Sequence, residues 1–152
     1  MKKIPQNFRY MELIKPIIIP ESVNTILAGL NDRMWRAREV CRWVASEIED
    51  SETGTDAEEI LSSRKGTCLG KCILAVSMLR VLTFTEEEVF VTILVRKGEN
   101  PFEALHALVY LYQEGVFFDL TEGFHEYKKT LEEASTTNTL ILVFNDKICL
   151  VP

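Results

Sequence analysis

The spacing of the hydrophobic residues changes in the middle of this 152-residue chain. Between residues 21 and 82, apolar side chains recur at steps of about three or four positions, which is the spacing of one face of an α-helix. From residue 88 onward, Val, Ile, Thr and Phe become frequent and alternate as they do in β-strands. Because helical patterns precede strand patterns, the sequence predicts an α+β fold with N-terminal helices packed on an antiparallel β-sheet.

Four helices are predicted in the first half of the chain, over residues 21–30, 34–48, 56–61 and 68–82. Asp32 and Asp56 stand where a side-chain oxygen commonly caps the start of a helix. Cys41 falls on the apolar stripe of the second helix and is expected to be a core residue. Cys68 begins the fourth helix, directly after a polar loop.

Five strands are predicted in the second half, over residues 88–96, 106–112, 116–120, 139–144 and 147–151. The first strand is apolar on both faces, which is typical of a buried strand. The next two form a predicted hairpin, in which alternation of side chains would allow His106 and Asp119 to lie side by side. The last two form a final hairpin, and residues 122–133 are expected to be loop with a helical turn.

One domain is expected to span residues 1–152, with its core over roughly residues 34–151. A chain with 47% hydrophobic residues can form one ordinary core, and no linker or internal repeat divides it. Pro5, Pro16 and Pro20 interrupt helix formation near the start of the chain. Residues 1–20 are therefore expected to form an extended arm on the surface.

Charge and hydropathy limit the classes of partner. A formal net charge of −6 disfavours nucleic acid, whose binding depends on clustered Lys and Arg. Apolar runs such as residues 140–144 are far shorter than the roughly 18 residues of a membrane-spanning helix, so no membrane partner is expected. The N terminus has no secretory pattern, so the expected location is the cytoplasm and the cysteines are expected to be reduced.

Cys68, His106 and Asp119 could together perform nucleophilic catalysis. A thiol becomes a nucleophile when a base takes its proton, and a carboxylate can hold that base in one orientation. The predicted helix start at Cys68 also favours the thiolate. Each residue alone is more often structural, as a buried Cys, a core His or an Asp in a turn. Their joint occurrence on the predicted elements favours a catalytic triad.

Other chemistry is less well supported by the pattern. Cys72 follows Cys68 by one helical turn, so the two thiols could instead bind a soft metal or form a redox pair. A zinc site requires four convergent ligands, and the Cys and His spacings do not supply them. His125 lies in a polar segment and is expected to be solvated. No metal ligand and no cofactor are predicted.

Three short motifs surround the candidate triad: Gly66-Thr67-Cys68 at a helix start, His106-Ala107-Leu108-Val109 at a strand start, and Phe118-Asp119-Leu120-Thr121 at the end of the next strand. Together they resemble the transglutaminase-like superfamily, whose core is similar to that of papain-like cysteine proteases. The resemblance covers roughly residues 34–123. It implies a transglutaminase-like/papain-like core in which Cys68 is the nucleophile, His106 the base and Asp119 the residue that orients the imidazole.

The departures from the family pattern concern the cleft. Leu108 and Leu120 replace a usual aromatic residue and a usual proline, and Gly70 stands where a polar residue is often found near the substrate. Family members often add an upstream side chain to the oxyanion hole, for which Gln6 is the candidate here beside the Cys68 backbone N–H.

The predicted function is acyl transfer or hydrolysis at an amide bond of a protein or peptide, through a thioester on Cys68. Water as the acceptor would make the protein a peptidase or amidase, and an amine would make it a protein-glutamine transferase. The alternative is a catalytically silent binding or scaffold module with the same fold, which the altered cleft residues would suit.

Overall fold

The computed structural model describes residues 2–3, 9–100 and 105–152. The strands in these segments are β1 (Lys2–Lys3), β2 (Glu49–Asp50), β3 (Lys65–Gly66), β4 (Val89–Arg96), β5 (Leu105–Leu111), β6 (Val116–Asp119), β7 (His125–Lys128), β8 (Asn138–Phe144) and β9 (Cys149–Val151). The helices are a 3-10 helix (Arg9–Leu13), α1 (Glu21–Leu27), α2 (Arg33–Glu47), α3 (Ala57–Ser63), α4 (Cys68–Val81) and α5 (Leu131–Thr137).

Seven of these strands form one antiparallel sheet in the order β1-β9-β8-β4-β5-β6-β7. β2 and β3 form a separate parallel pair. The α+β class and the antiparallel sheet predicted from the sequence are confirmed. None of the described helices is long and apolar enough to cross a membrane.

Helix α4 is the centre of the helical layer. Residues 70–79 are all buried, because α4 packs against α2 and α3 on one side and against β4 and β5 on the other. A helix that is apolar around most of its circumference is expected to be covered in this way. Cys41 of α2 is fully buried in the same core, as predicted.

The sheet is covered on both faces. Val91, Val109 and Phe118 belong to the core that includes α4, whereas Leu94 and Phe117 belong to a second apolar cluster with Ala134 of α5. β4 contributes to both clusters, so the prediction that it is buried on both faces is confirmed.

Part of the chain before α1 differs from the expected extended surface arm. Arg9–Leu13 is a 3-10 helix, and Met11, Ile14 and Ile17 are buried. The Lys15 backbone N–H donates a hydrogen bond to Ser77 Oγ of α4 at 3.3 Å. The prolines limit helix length, but burial of the apolar side chains between them holds the segment against the core.

Residues 122–133 contain more regular structure than the sequence predicted. β7 lies there as the edge strand beside β6, and α5 begins at Leu131. All four β7 residues are exposed. A solvated edge strand carries no apolar alternation, so the sequence pattern could not reveal it.

Candidate active site

Cys68 occupies the first turn of α4, as the sequence predicted. Thr67 caps this helix by accepting a hydrogen bond from the Gly70 N–H at 2.9 Å. The backbone N–H and the hydroxyl of Thr67 both donate to the Gly54 carbonyl at 3.0 Å. These bonds fix the turn that presents Cys68, and the helix N terminus favours negative charge on its sulfur.

Gly70 is required by a close approach of two chain segments. A Cβ atom at this position would lie 2.1 Å from the Gly54 carbonyl oxygen and 2.7 Å from Ile60 Cδ1. The glycine therefore allows the Gly54 segment to pack against the first turn of α4. This contact gives a structural reason for a residue at which the sequence departs from the motif that it otherwise resembles.

His106 and Asp119 are brought together by β5 and β6. His106 Nε2 lies 2.9 Å from Asp119 Oδ2, and the Thr121 backbone N–H donates to Asp119 Oδ1 at 3.0 Å. The contact between the two side chains was predicted from strand alternation. An ionised carboxylate accepts hydrogen bonds only, so Nε2 carries the proton in this contact. Nδ1 is then the ring nitrogen left for Cys68.

The electrostatics of Cys68 and His106 favour an ion pair. Burial raises the pKa of the Cys68 thiol, but hydrogen bonds from His106 and from the Ala107 backbone N–H outweigh burial and bring the pKa below its ordinary value. The hydrogen bond to Asp119, followed by the one to Cys68, raises the pKa of His106 to about 10. The thiolate and the imidazolium therefore stabilise each other.

The pKa of Asp119 completes this arrangement. Burial raises the pKa of its carboxyl group, but the hydrogen bonds from His106 and from the Thr121 N–H outweigh burial, so the pKa lies below its usual range. Asp119 is thus ionised at neutral pH and can hold the charged imidazole in one orientation.

The other cysteines have the opposite character. Burial raises the pKa of Cys41, Cys72 and Cys149, so these thiols stay protonated near neutral pH. Within the described segments, no group of three or more His, Cys, Asp or Glu side chains converges as ligands for a metal ion. Cys72 is fully enclosed in the core, where it cannot exchange with an external thiol.

His125 is exposed, as expected, but it is not remote from the site. It lies opposite Asp119 on the neighbouring strand β7, and its charge contributes to lowering the pKa of Asp119. The polar sequence around His125 gave no sign of this position. Gln6, the candidate for the oxyanion hole, lies outside the described residues.

An ion pair between a buried lysine and an exposed aspartate, beneath the site, was missed by sequence reasoning. Lys71 is only 1% exposed, and its Nζ lies 2.9 Å from Asp50 Oδ1. Asp50 Oδ2 accepts a hydrogen bond at 3.0 Å from the Glu122 backbone N–H, three residues after Asp119. Asp50 therefore links α4 to the turn that follows Asp119. A Lys within the largely apolar stretch of α4 was the available signal.

No protein-family model and no curated protein matches this sequence. The structure is similar to calcium-bound LapG of Legionella pneumophila, with a TM-score of 0.65 and 12% identity over 86% of this chain and 74% of LapG. EGTA-treated LapG gives a TM-score of 0.63 at 12% identity, over 90% of this chain and 87% of that one.

A Cytophaga hutchinsonii protein, named as a candidate cysteine protease, has a TM-score of 0.53 at 13% identity over 93% of this chain and 55% of its own length. At such low identity these likenesses establish the fold alone. The chain shares the α+β fold of these solved structures, in which a helical layer packs on an antiparallel sheet.

Proposed function

We propose that this protein is a cysteine-dependent enzyme that acts on an amide bond of a protein or peptide substrate, with Cys68, His106 and Asp119 as its catalytic residues. The observation that carries the proposal is the Asp119–His106–Cys68 chain of hydrogen bonds at the N terminus of α4. The likeness to a candidate cysteine protease supports a peptide substrate.

Acylation begins with attack of the Cys68 thiolate on the carbonyl carbon, which forms a C–S bond and moves the carbonyl electron pair onto oxygen. The backbone N–H of Cys68, at the start of α4, can donate to this oxyanion. When the oxyanion collapses, the C–N bond breaks and the His106 imidazolium transfers its proton to the departing nitrogen. The products of this step are a neutral amine, a neutral imidazole and a thioester on Cys68.

Deacylation uses the neutral His106 as a base. The imidazole takes a proton from water as the water oxygen attacks the thioester, and the C–S bond then breaks to release a carboxylic acid and the thiolate. An amine could attack in place of water and yield a new amide. Asp119 stabilises the imidazolium in both halves of the reaction without taking its proton.

Alkylation by iodoacetamide tests the activated thiol without knowledge of the substrate. Rates measured from pH 5 to pH 9, with each cysteine mapped by mass spectrometry, should show Cys68 reacting at least about 10-fold faster than the buried cysteines at pH 6. His106→Gln should move the Cys68 profile toward the ordinary thiol pKa of about 8.5. Slow labelling of Cys68 with an unshifted profile would favour a silent scaffold module.

Turnover is tested with a peptide library whose cleaved and amine-modified products are identified by mass spectrometry, with Cys68→Ala as the control. New termini that depend on Cys68 would indicate a peptidase, and amine incorporation would indicate a transferase. Identical product lists from wild type and Cys68→Ala would contradict an enzymatic role on these peptides.

A further inference from the structure

A cleft of about 530 Å³ opens beside the candidate triad, on the sheet face that carries α5. Leu94, Leu108 and Phe117 form its apolar floor, and His106 and Asp119 contribute to its wall. Cys68 is not among the residues that line it. The cleft is therefore continuous with the imidazole side of the site rather than with the thiol side.

Two cationic side chains, Arg96 and Lys129, also line this cleft. Arg96 is exposed, and Lys129 Nζ lies 5.5 Å from the centre of the Tyr127 ring. Neither forms a salt bridge with any residue in the described part of the chain. Asp119 is the sole carboxylate among the described lining residues, and it is engaged by His106. In a protein of net charge −6, this local excess of positive charge favours an anionic ligand group.

The register of the sheet sets the distance between the cationic group and the reacting atoms. His106 lies directly opposite Leu94, and Arg96 follows two positions later on the same face of β4. Residues in such a diagonal relation lie about 7–8 Å apart, with their Cβ atoms somewhat closer. An extended peptide advances about 3.3–3.6 Å per residue. A side chain one or two residues beyond the scissile bond could therefore reach Arg96.

The chemistry decides which part of the substrate enters the cleft. In the proposed reaction, His106 gives its proton to the departing nitrogen, so the leaving group must lie on the imidazole side of the thiol. We propose that this cleft is a leaving-group subsite for an acidic side chain, with the carboxylate of Asp or Glu paired with Arg96 and Lys129. The assignment rests on the proposed function, because it is that reaction which places the leaving group beside His106.

The floor and rim match the two parts of an acidic side chain. The methylene groups of Glu can pack on Leu108 and Phe117, while its carboxylate stays at the exposed rim, where desolvation is small. An exposed ion pair contributes about 0.2–1 kcal/mol. Two such pairs correspond to about 2- to 30-fold tighter binding of an acidic peptide than of its neutral counterpart.

Binding to the Cys68→Ala variant tests the subsite without turnover. The probes are Ala-Glu-amide and Glu-Ala-amide, with Ala-Gln-amide and Gln-Ala-amide as neutral counterparts, titrated into ¹⁵N-labelled protein. We expect at least one acidic peptide to bind about 2- to 30-fold more tightly than its Gln counterpart, with shift changes at Arg96, Leu108 and Tyr127. Ala-Gln with a free carboxyl terminus separates recognition of a terminal carboxylate from recognition of a side chain.

Arg96→Gln/Lys129→Gln in the same background should abolish the preference for Glu over Gln. Arg9→Gln is the matched control, because Arg9 is an exposed cation on a segment outside the cleft lining, and it should retain the preference. Equal affinities for the Glu and Gln peptides, or a preference that survives the double substitution, would overturn the subsite. Failure of the alkylation test would instead overturn the role of Cys68, since peptide binding here requires no reactive thiol.

Discussion

Asp50→Asn should destabilise this protein much more than Lys71→Met, although each substitution removes the same ion pair. Lys71 is 1% exposed, whereas the Asp50 side chain is 41% exposed. Removal of Asp50's charge leaves a buried ammonium without a counter-ion. Removal of Lys71's charge leaves a carboxylate that water can reach and that keeps its hydrogen bond from the Glu122 N–H.

The magnitudes follow from this asymmetry. At 2.9 Å the attraction between the two charges is about 6 kcal/mol for an effective dielectric constant of 20, and desolvation of the ammonium offsets several kcal/mol of it. Removal of one partner of a fully buried pair costs about 3–5 kcal/mol. Because Asp50 is partly exposed, we expect about 2–4 kcal/mol for Asp50→Asn and a change within about 1 kcal/mol for Lys71→Met.

Urea unfolding at pH 7, followed by tryptophan fluorescence and circular dichroism, measures these differences. The double variant Asp50→Asn/Lys71→Met should be close in stability to Lys71→Met alone. The Asp50→Asn substitution then costs little once Lys71 is gone, which corresponds to a coupling energy between the two residues above about 1.5 kcal/mol. Burial raises the pKa of the Asp50 carboxyl group, but the hydrogen bonds from Lys71 and from the Glu122 N–H outweigh burial. The pKa of Asp50 therefore lies below its ordinary value. A lowered carboxyl pKa stabilises the fold above the unfolded pKa of about 3.9, and this contribution is lost as pH falls through the folded pKa.

The difference between wild type and Asp50→Asn should therefore shrink below about pH 4. The argument that an unpaired buried ammonium lowers the stability would be refuted by two results together. These are a Lys71→Met variant as destabilised as Asp50→Asn, and a double variant no more stable than Asp50→Asn alone.

Two further predictions concern the site itself. Gly70→Ala should lower the free energy of unfolding, measured in urea, by about 2 kcal/mol or more, because the new Cβ would lie 2.1 Å from the Gly54 carbonyl oxygen. A decrease in this free energy below about 0.5 kcal/mol would show that the Gly54 segment can move away from α4 freely. The pH profile of Cys68-dependent turnover should be bell-shaped, because it rises as the Cys68 thiol ionises and falls near pH 10 as His106 loses its proton. Asp119→Asn should move the falling limb to lower pH. A falling limb at unchanged pH would contradict the role given to Asp119.

Much of the fold could be predicted because it depends on local patterns. Asp32 and Asp56 cap α2 and α3 where the sequence indicated, and Cys68 begins α4. Capping and amphipathic spacing act within a few residues, so they can be read along the chain. The pairing of β5 with β6 was also local, because a short turn joins the two strands.

Other features had no local signal. β7 is solvated on all four residues, and the chain around Met11 is buried through contacts with residues distant in sequence. β8 also lies beside β4, and the sequence could not show that these two predicted strands pair with each other. Strand order in a sheet depends on long-range packing, which leaves no periodic trace.

The sequence by itself determined the order of helices and strands, the start of α4 at Cys68 and the three side chains of the candidate triad, because each depends on residue type and short-range spacing. Only the tertiary structure paired Lys71 with Asp50, 21 positions apart, and brought Arg96 and Lys129 to the cleft beside His106. Charged side chains that meet across different elements follow no period in the chain. Their contacts are decided by how the helices and the sheet pack together.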